Sequence, residues 1–273
     1  MLCSICGTRP VGAAGVRCAV CAGAAGDGRA RSGSTGATPA ARPRLDQLRS
    51  PVGLARAVCV LLGAAAVADV LSIAAGVHSR VLIADGLDGG FLAVDEEAWT
   101  RADRLYGFAG SLQVLTFLTA GVVFLVWMRR ARLNAEVFDP SAHPMKPGWA
   151  IGGWFVPIGN LWLPYRVTSG IWTASAPVET PGGRFAAPRA LLNAWWAVFV
   201  ADQLVSRASG RLYADAETGD EIIRGLDLVV VTDALDLVAA VLAILVVRRL
   251  TTMQSRRAEL GAFPAGPRPS RAH

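Results

Sequence analysis

Four cysteines open the chain in the string CSICGTRPVGAAGVRCAVC, spaced Cys3-x2-Cys6-x11-Cys18-x2-Cys21. Two CxxC pairs on one short segment form the donor set of tetrahedral zinc, because each CxxC turn brings two thiolates onto one metal. Gly7, just after Cys6, fits the tight turn that lets backbone amides approach sulfur. So short a segment cannot build a core, and metal would supply its folding energy. The expectation is a minimal zinc ribbon over residues 1–24 holding one structural zinc. Four reduced thiols in a disordered tail, or a redox pair, are the competing readings. Cys59 lies within an apolar run and reads as a small packing residue.

A second set of chemistry-bearing residues lies where carboxylates are costly. Asp69, Asp202, Asp233 and Asp236 all fall inside long apolar runs. Acids at such positions usually face the interior of a helix bundle. Asp233 and Asp236 share a helical face at i, i+3. Gln113, Gln203 and Thr232 supply polar partners nearby in depth. One reading is an intramembrane cation or proton site. The other is a set of buried pairs with Arg80, Arg104 or Arg207.

The elements that must position these groups follow from hydropathy. The 273 residues are 53% hydrophobic, and the apolar residues come in blocks. Four blocks approach the roughly 20 residues that a spanning helix needs, at about 52–76, 107–128, 188–205 and 226–247. No apolar core precedes Pro51, so the first span is expected to act as its own insertion signal. Residues 25–50, rich in Gly, Ala, Ser, Pro and Arg, read as a flexible linker. Residues 251–273 read as a basic tail.

Charge sets the expected orientation. Residues 1–50 hold seven Arg and two acids, 77–106 three Arg and six acids, and 129–187 six basic residues and three acids. Residues 206–225 then hold three Arg and four acids, and 248–273 six Arg and one acid. Basic flanks stay cytoplasmic, so both termini are expected in the cytoplasm of a multi-pass plasma-membrane protein. The net charge of +6 then meets lipid head groups rather than nucleic acid. The Arg-rich arm has no interleaved aromatics of the kind that bind single strands.

The stretch GWAIGGWFVPIGNLWLPYRVTSGIW, residues 148–172, is long enough to span, yet it carries two Pro and four of the eight Trp. A fifth crossing would reverse every later segment against the charge pattern. The expectation is a re-entrant or interfacial segment: an irregular entry, then an amphipathic helix from Asn160, which caps it, to Trp172. Leu161, Tyr165, Thr168 and Trp172 fall on its apolar face. Trp149, Trp154, Trp162, Tyr165 and Trp172 are the expected interfacial anchors. The glycines at 148, 152, 153 and 159 are expected to contact the spans. This stretch, preceded by RRARLNAE and followed by a WW-bearing span, resembles the bacterial membrane family catalogued as domain of unknown function 4328. That resemblance implies a multipass membrane protein, sometimes with an N-terminal zinc ribbon, and carries no known activity and no catalytic residue.

The fold expected is thus an all-α integral membrane protein of four transmembrane helices over residues 51–250, plus the re-entrant segment and the small zinc ribbon. The chain holds no HExxH, no Ser/His pair at a useful spacing and no Gly-rich phosphate loop, so nothing in it argues for an enzyme. A structural or regulatory anchor whose zinc module recruits a protein partner is the first functional expectation. A small transporter or ion-coupled channel using the aspartates, assembled as a homo-oligomer, is the second.

Overall fold

The computed structural model describes residues 47–90, 94–176 and 188–262. The cysteine module, and with it Cys3, Cys6, Cys18 and Cys21, lies outside the described residues. Within them the chain is helical, with no strand. Four long helices dominate: α1 (Val52–Gly89), α2 (Glu96–Phe138), α5 (Ala190–Ala214) and α6 (Gly219–Ala262). Two short ones, α3 (Trp149–Gly152) and α4 (Leu163–Ser175), lie between α2 and α5.

Large side chains such as Trp127, Trp172 and Leu250 fill the core near the re-entrant segment, but many helix contacts elsewhere are made by alanines and many large apolar residues face outward. Ala55, Ala68, Ala75, Ala102, Ala109 and Ala120 are buried, while Val60, Val67, Phe108, Phe117, Leu118 and Val122 are largely exposed. Small residues at helix contacts and large apolar residues facing outward suit a lipid solvent, where packing rather than water exclusion holds helices together. Gly76 shows the closeness reached: a Cβ there would lie 3.3 Å from Val230 of α6. Three helices, α1, α2 and α6, are long and apolar enough to cross a membrane. α5, at 25 residues, is long enough, but Asn193, Asp202, Gln203 and its two tryptophans make it less apolar.

The helices outrun the apolar blocks that the sequence marks. At 38, 43 and 44 residues, α1, α2 and α6 each extend roughly 57–66 Å, about twice the hydrocarbon thickness of a bilayer. α1 packs on both α2 and α6, and α5 packs on α6, giving the lateral order α2-α1-α6-α5. At the end opposite the α2 C-terminus, Arg80 of α1 pairs with Asp227 of α6. The start of α6 there is a capping box: Thr218 Oγ1 accepts from the Glu221 amide at 3.3 Å, and the Glu221 carboxylate accepts from the amides of Glu217 and Thr218 at 2.9 Å each.

Residues 148–176 leave and return at one end of the bundle. The Met145 carbonyl accepts from Arg132 near the C-terminus of α2 at 2.8 Å. At the far end of the segment, Ser175 accepts from Gln254 and the Ala176 carbonyl from Arg257, both near the C-terminus of α6. Arg257 also donates to the Phe138 carbonyl and lies over the Phe138 ring. Asn134 joins the same network, bonding the Arg49 backbone in both directions and Gln254. The chain just before α1 is thereby tied to α2.

Several local expectations change. Asn160 does not cap α4: it lies in a 3-10 turn, Gly159–Leu161, and its Oδ1 is buried without a partner. α4 starts only at Leu163, with Pro164 in its first turn, where a missing amide costs nothing. Trp172, expected at head-group level, is enclosed by protein, and Thr168 beside it is fully buried. Gly148 and Gly152 have open space where a Cβ would stand, and Gly153 and Gly159 pack on Leu163 of their own segment rather than on the spans. Between the 3-10 turn and α3, the Gly159 amide closes onto the Pro157 carbonyl around Ile158 at φ 60°. That is a γ-turn of the positive-φ form, rare and strained for a β-branched residue.

Candidate functional site

Two layers fill the centre of the bundle between the non-adjacent helices α2 and α5. The first is aromatic. The re-entrant segment inserts Trp154 between Phe124 of α2 and Trp196 and Phe199 of α5, edge-on to each at centroid distances of 5.6, 6.0 and 5.6 Å. Phe124 also meets Trp195 at 6.2 Å. Edge-to-face pairs of this kind add to the burial of the rings themselves. Of the five expected anchors, Trp149 and Trp162 remain exposed. Trp154 and Tyr165 are half-buried in the bundle, and the Tyr165 hydroxyl donates to Asn193 Oδ1 at 2.7 Å.

The second layer is acidic and begins one helical turn beyond Phe199, at Asp202. Gln113 of α2 donates through its amide nitrogen to Asp69 Oδ1 of α1 and to Asp233 Oδ1 of α6, both at 2.9 Å. A primary amide has two N–H groups, so one side chain serves two carboxylates on two helices. Ser72, one turn from Asp69, lies beside the Asp233 carboxyl. Asp202 of α5 and Asp236 of α6 face each other at hydrogen-bonding reach. Two carboxylates bond to each other only through a proton; with none on either, Asp202 Oδ1 is buried without a donor, as is Asp233 Oδ2. Asp69, Asp202 and Asp233 are 3–5% exposed. All four long helices therefore contribute to one polar layer in an otherwise apolar interior.

No arginine reaches this layer through an ion pair. The three ion pairs among the described residues are Arg80–Asp227, Arg101–Glu97 and Arg132–Glu136. Arg80, one of the counter-ions expected for the aspartates, is committed to Asp227 instead. Among the described residues no group of three or more His, Cys, Asp and Glu side chains is arranged to hold a metal ion. The aspartates form two pairs rather than a coordination shell.

Sequence reasoning overlooked Ser72, although its i, i+3 relation to Asp69 put both on one face. It also overlooked the end of the bundle where α2 meets the re-entrant segment. There Ser141 donates through its hydroxyl and amide to Asp139, holding that carboxyl below its ordinary value. His143 is pushed below its ordinary value by burial and by the Arg132 charge. Both support the turn Pro140–Ala142 that seats on α4.

A helical membrane bundle with a buried carboxylate layer and an aromatic-filled re-entrant segment is the class these features define. The chain belongs to the family described as Domain of unknown function (DUF4328), which matches residues 92–252. The match includes Gln113, Asp202, Asp233 and Asp236, and the whole re-entrant segment. No curated protein and no solved structure gives a significant match.

Proposed function

We propose that this chain is a four-span membrane protein of the plasma membrane that binds and releases protons within its bundle, as the proton-coupled element of a small, oligomeric transporter or channel. α5 is the fourth span, both termini are cytoplasmic, and the acidic layer lies in the outer half of the bilayer. The observation that carries the reading is the Asp202–Asp236 pair: two carboxyl groups on adjacent helices, Asp202 buried and Asp236 half-buried, close enough to share a proton, with no arginine paired to either among the described residues. Loss of that proton leaves like charges facing each other in a low-dielectric interior, which costs several kcal/mol at the order of magnitude given by buried unpaired ions. α5 and α6 then separate or admit water. Proton occupancy is thereby coupled to the spacing of two helices, and the Trp154 layer stands between the acids and the basic end.

The test is proton uptake into vesicles containing the purified full chain, driven by a pH or potential gradient and read with an internal pH dye. Wild type is expected to carry protons and Asp236→Asn to lose the flux while keeping its helix content and monodispersity. Flux in Asp236→Asn equal to wild type, or none in wild type under any gradient, overturns the reading.

A second reading, favoured by the doubled CxxC, is an anchor that recruits a protein partner through a zinc ribbon at Cys3, Cys6, Cys18 and Cys21. Four thiolates suit one structural zinc, and residues 25–50 would be its tether. Capture of a partner from native membranes that is lost in Cys3→Ser/Cys6→Ser, with no proton flux in wild type, favours it over the first.

A further inference from the structure

We infer that a groove at the basic end of the bundle, between the Pro140–Ala142 turn, α4 and the start of α5, binds the phosphate of an anionic phospholipid through Arg166 and Arg189. The groove encloses about 280 Å³, and Ser169, Gly170 and Thr173 line it with the two arginines. Among the described residues no acidic side chain lines it. Both guanidinium groups stand outside the three ion pairs found among the described residues. Arg189 Nη2 donates to Thr173 Oγ1 at 2.7 Å, and the Thr173 hydroxyl in turn donates to the Ser169 carbonyl at 2.9 Å. That chain of bonds fixes Arg189 against the wall, and among the described residues its guanidinium makes no other side-chain hydrogen bond. Tyr165 pins α4 to α5 at Asn193, holding Arg166 opposite.

Glycine at the floor allows a close approach. A Cβ on Gly170 would stand 3.0 Å from the Ala142 carbonyl and from His143 Nδ1, so the turn would have to move by a few tenths of an ångström to stay seated on α4. Planar guanidinium groups match the two free oxygens of a phosphodiester better than a point charge does.

Location selects the source of the phosphate. The groove lies at the end where Arg129 and Arg249 flank the apolar parts of α2 and α6, both exposed. On the same re-entrant segment Trp149 and Trp162 are exposed, as tryptophans at the head-group level are. A lipid reaches such a site sideways, keeping its acyl chains in the bilayer. The inference needs the bundle to cross a membrane and does not depend on the acidic layer.

Native mass spectrometry of the detergent-solubilised full chain tests it, with phosphatidylglycerol, phosphatidylcholine or inorganic phosphate added. One phosphatidylglycerol is expected to be retained in preference to phosphatidylcholine. Arg166→Gln and Arg189→Gln should each weaken it by about fivefold, the effect of one basic residue at an anionic surface. Arg249→Gln, on the same face outside the groove, should leave it nearly unchanged. Ser169→Phe, which fills the groove and keeps both charges, should match the arginine variants, with every variant keeping wild-type helix content and monodispersity. An equal loss in Arg249→Gln, no loss in Ser169→Phe, or equal competition by inorganic phosphate overturns the inference.

Discussion

Gln113→Leu removes one side chain and leaves two carboxylates on two helices without their donor. Leucine nearly matches glutamine in volume, so the substitution opens little space and isolates the hydrogen bonds. Each bond is 2.9 Å long and ends on a carboxylate. In soluble proteins a bond to a charged group contributes about 1.5–3 kcal/mol. Within membrane bundles measured side-chain bonds average about 0.6 and reach about 1.7 kcal/mol, because the unfolded chain in lipid finds other partners. The second scale is the relevant one here, and two bonds give an expected loss of about 1–3 kcal/mol. The measurement is a reversible detergent-denaturation titration of the purified full chain, followed by far-ultraviolet circular dichroism. Val114→Leu on the lipid side of the same turn, where the side chain is 60% exposed, should stay within about 0.5 kcal/mol. Combining Gln113→Leu with Asp233→Asn should cost less than the sum of the two, since the neutral amide no longer needs the lost donor. A Gln113→Leu loss no larger than that of Val114→Leu, or strict additivity with Asp233→Asn, would refute the bridge.

Other expectations follow from other contacts. Thr218→Ala should cost about 1 kcal/mol, as removal of a capping hydroxyl does, measured in the same titration. Glu221 accepts two backbone amides that hold its carboxyl below the ordinary value, so its contribution is present at neutral pH and is lost as pH falls through that lowered value; Glu221→Gln should flatten the acid limb of the stability profile. His143, held below its ordinary value by burial, favours folding in its neutral form, so its contribution is full above about pH 6.5 and falls as the unfolded chain gains a proton below it; the difference between wild type and His143→Gln, measured from pH 7 to pH 5, should follow that direction. Ile158→Gly should raise stability by about 1–3 kcal/mol by relieving the positive φ, and an unchanged midpoint would mean that no strain is held there. Trp154→Ala should cost about 3–5 kcal/mol, the range for a large aromatic lost from a core, and should increase any proton leak in vesicles.

The apolar blocks at 52–76, 107–128 and 226–247 were legible because spanning helices need a length of continuous hydrophobicity and little else. Their continuation to Gly89, Phe138 and Ala262 was not, since beyond the bilayer a helix is specified by charged residues that carry no hydropathy signal. The depth of the four aspartates could be counted along each run. Which acid meets which partner depended on lateral helix order, so Arg80 was matched by depth to the wrong acids: it faces Asp227, about two and a half turns before Asp236 along α6. The return of residues 148–176 followed from glycine, proline and charge alternation. The burial of Trp172 did not, because tryptophan suits both a membrane surface and an aromatic core, and only the fit against α2 distinguishes them. Asn160 had the composition of a cap but fell one turn short of the helix it was meant to start.

The clasp on the re-entrant segment has a consequence for the order in which the protein can be made. Arg132 grips Met145 from 13 residues upstream, so that hold is available as soon as the turn emerges. Gln254 and Arg257 grip Ser175 and Ala176 from 79 and 81 residues downstream. At bacterial-to-eukaryotic elongation rates that interval is roughly 4 to 16 s. Within it α5 emerges and meets the segment through Asn193 and Trp196, while the α6 side stays open until Gln254 is made. A chain that ends before Gln254 therefore keeps the hold of Arg132 on Met145 and lacks both latches at the far end of the segment.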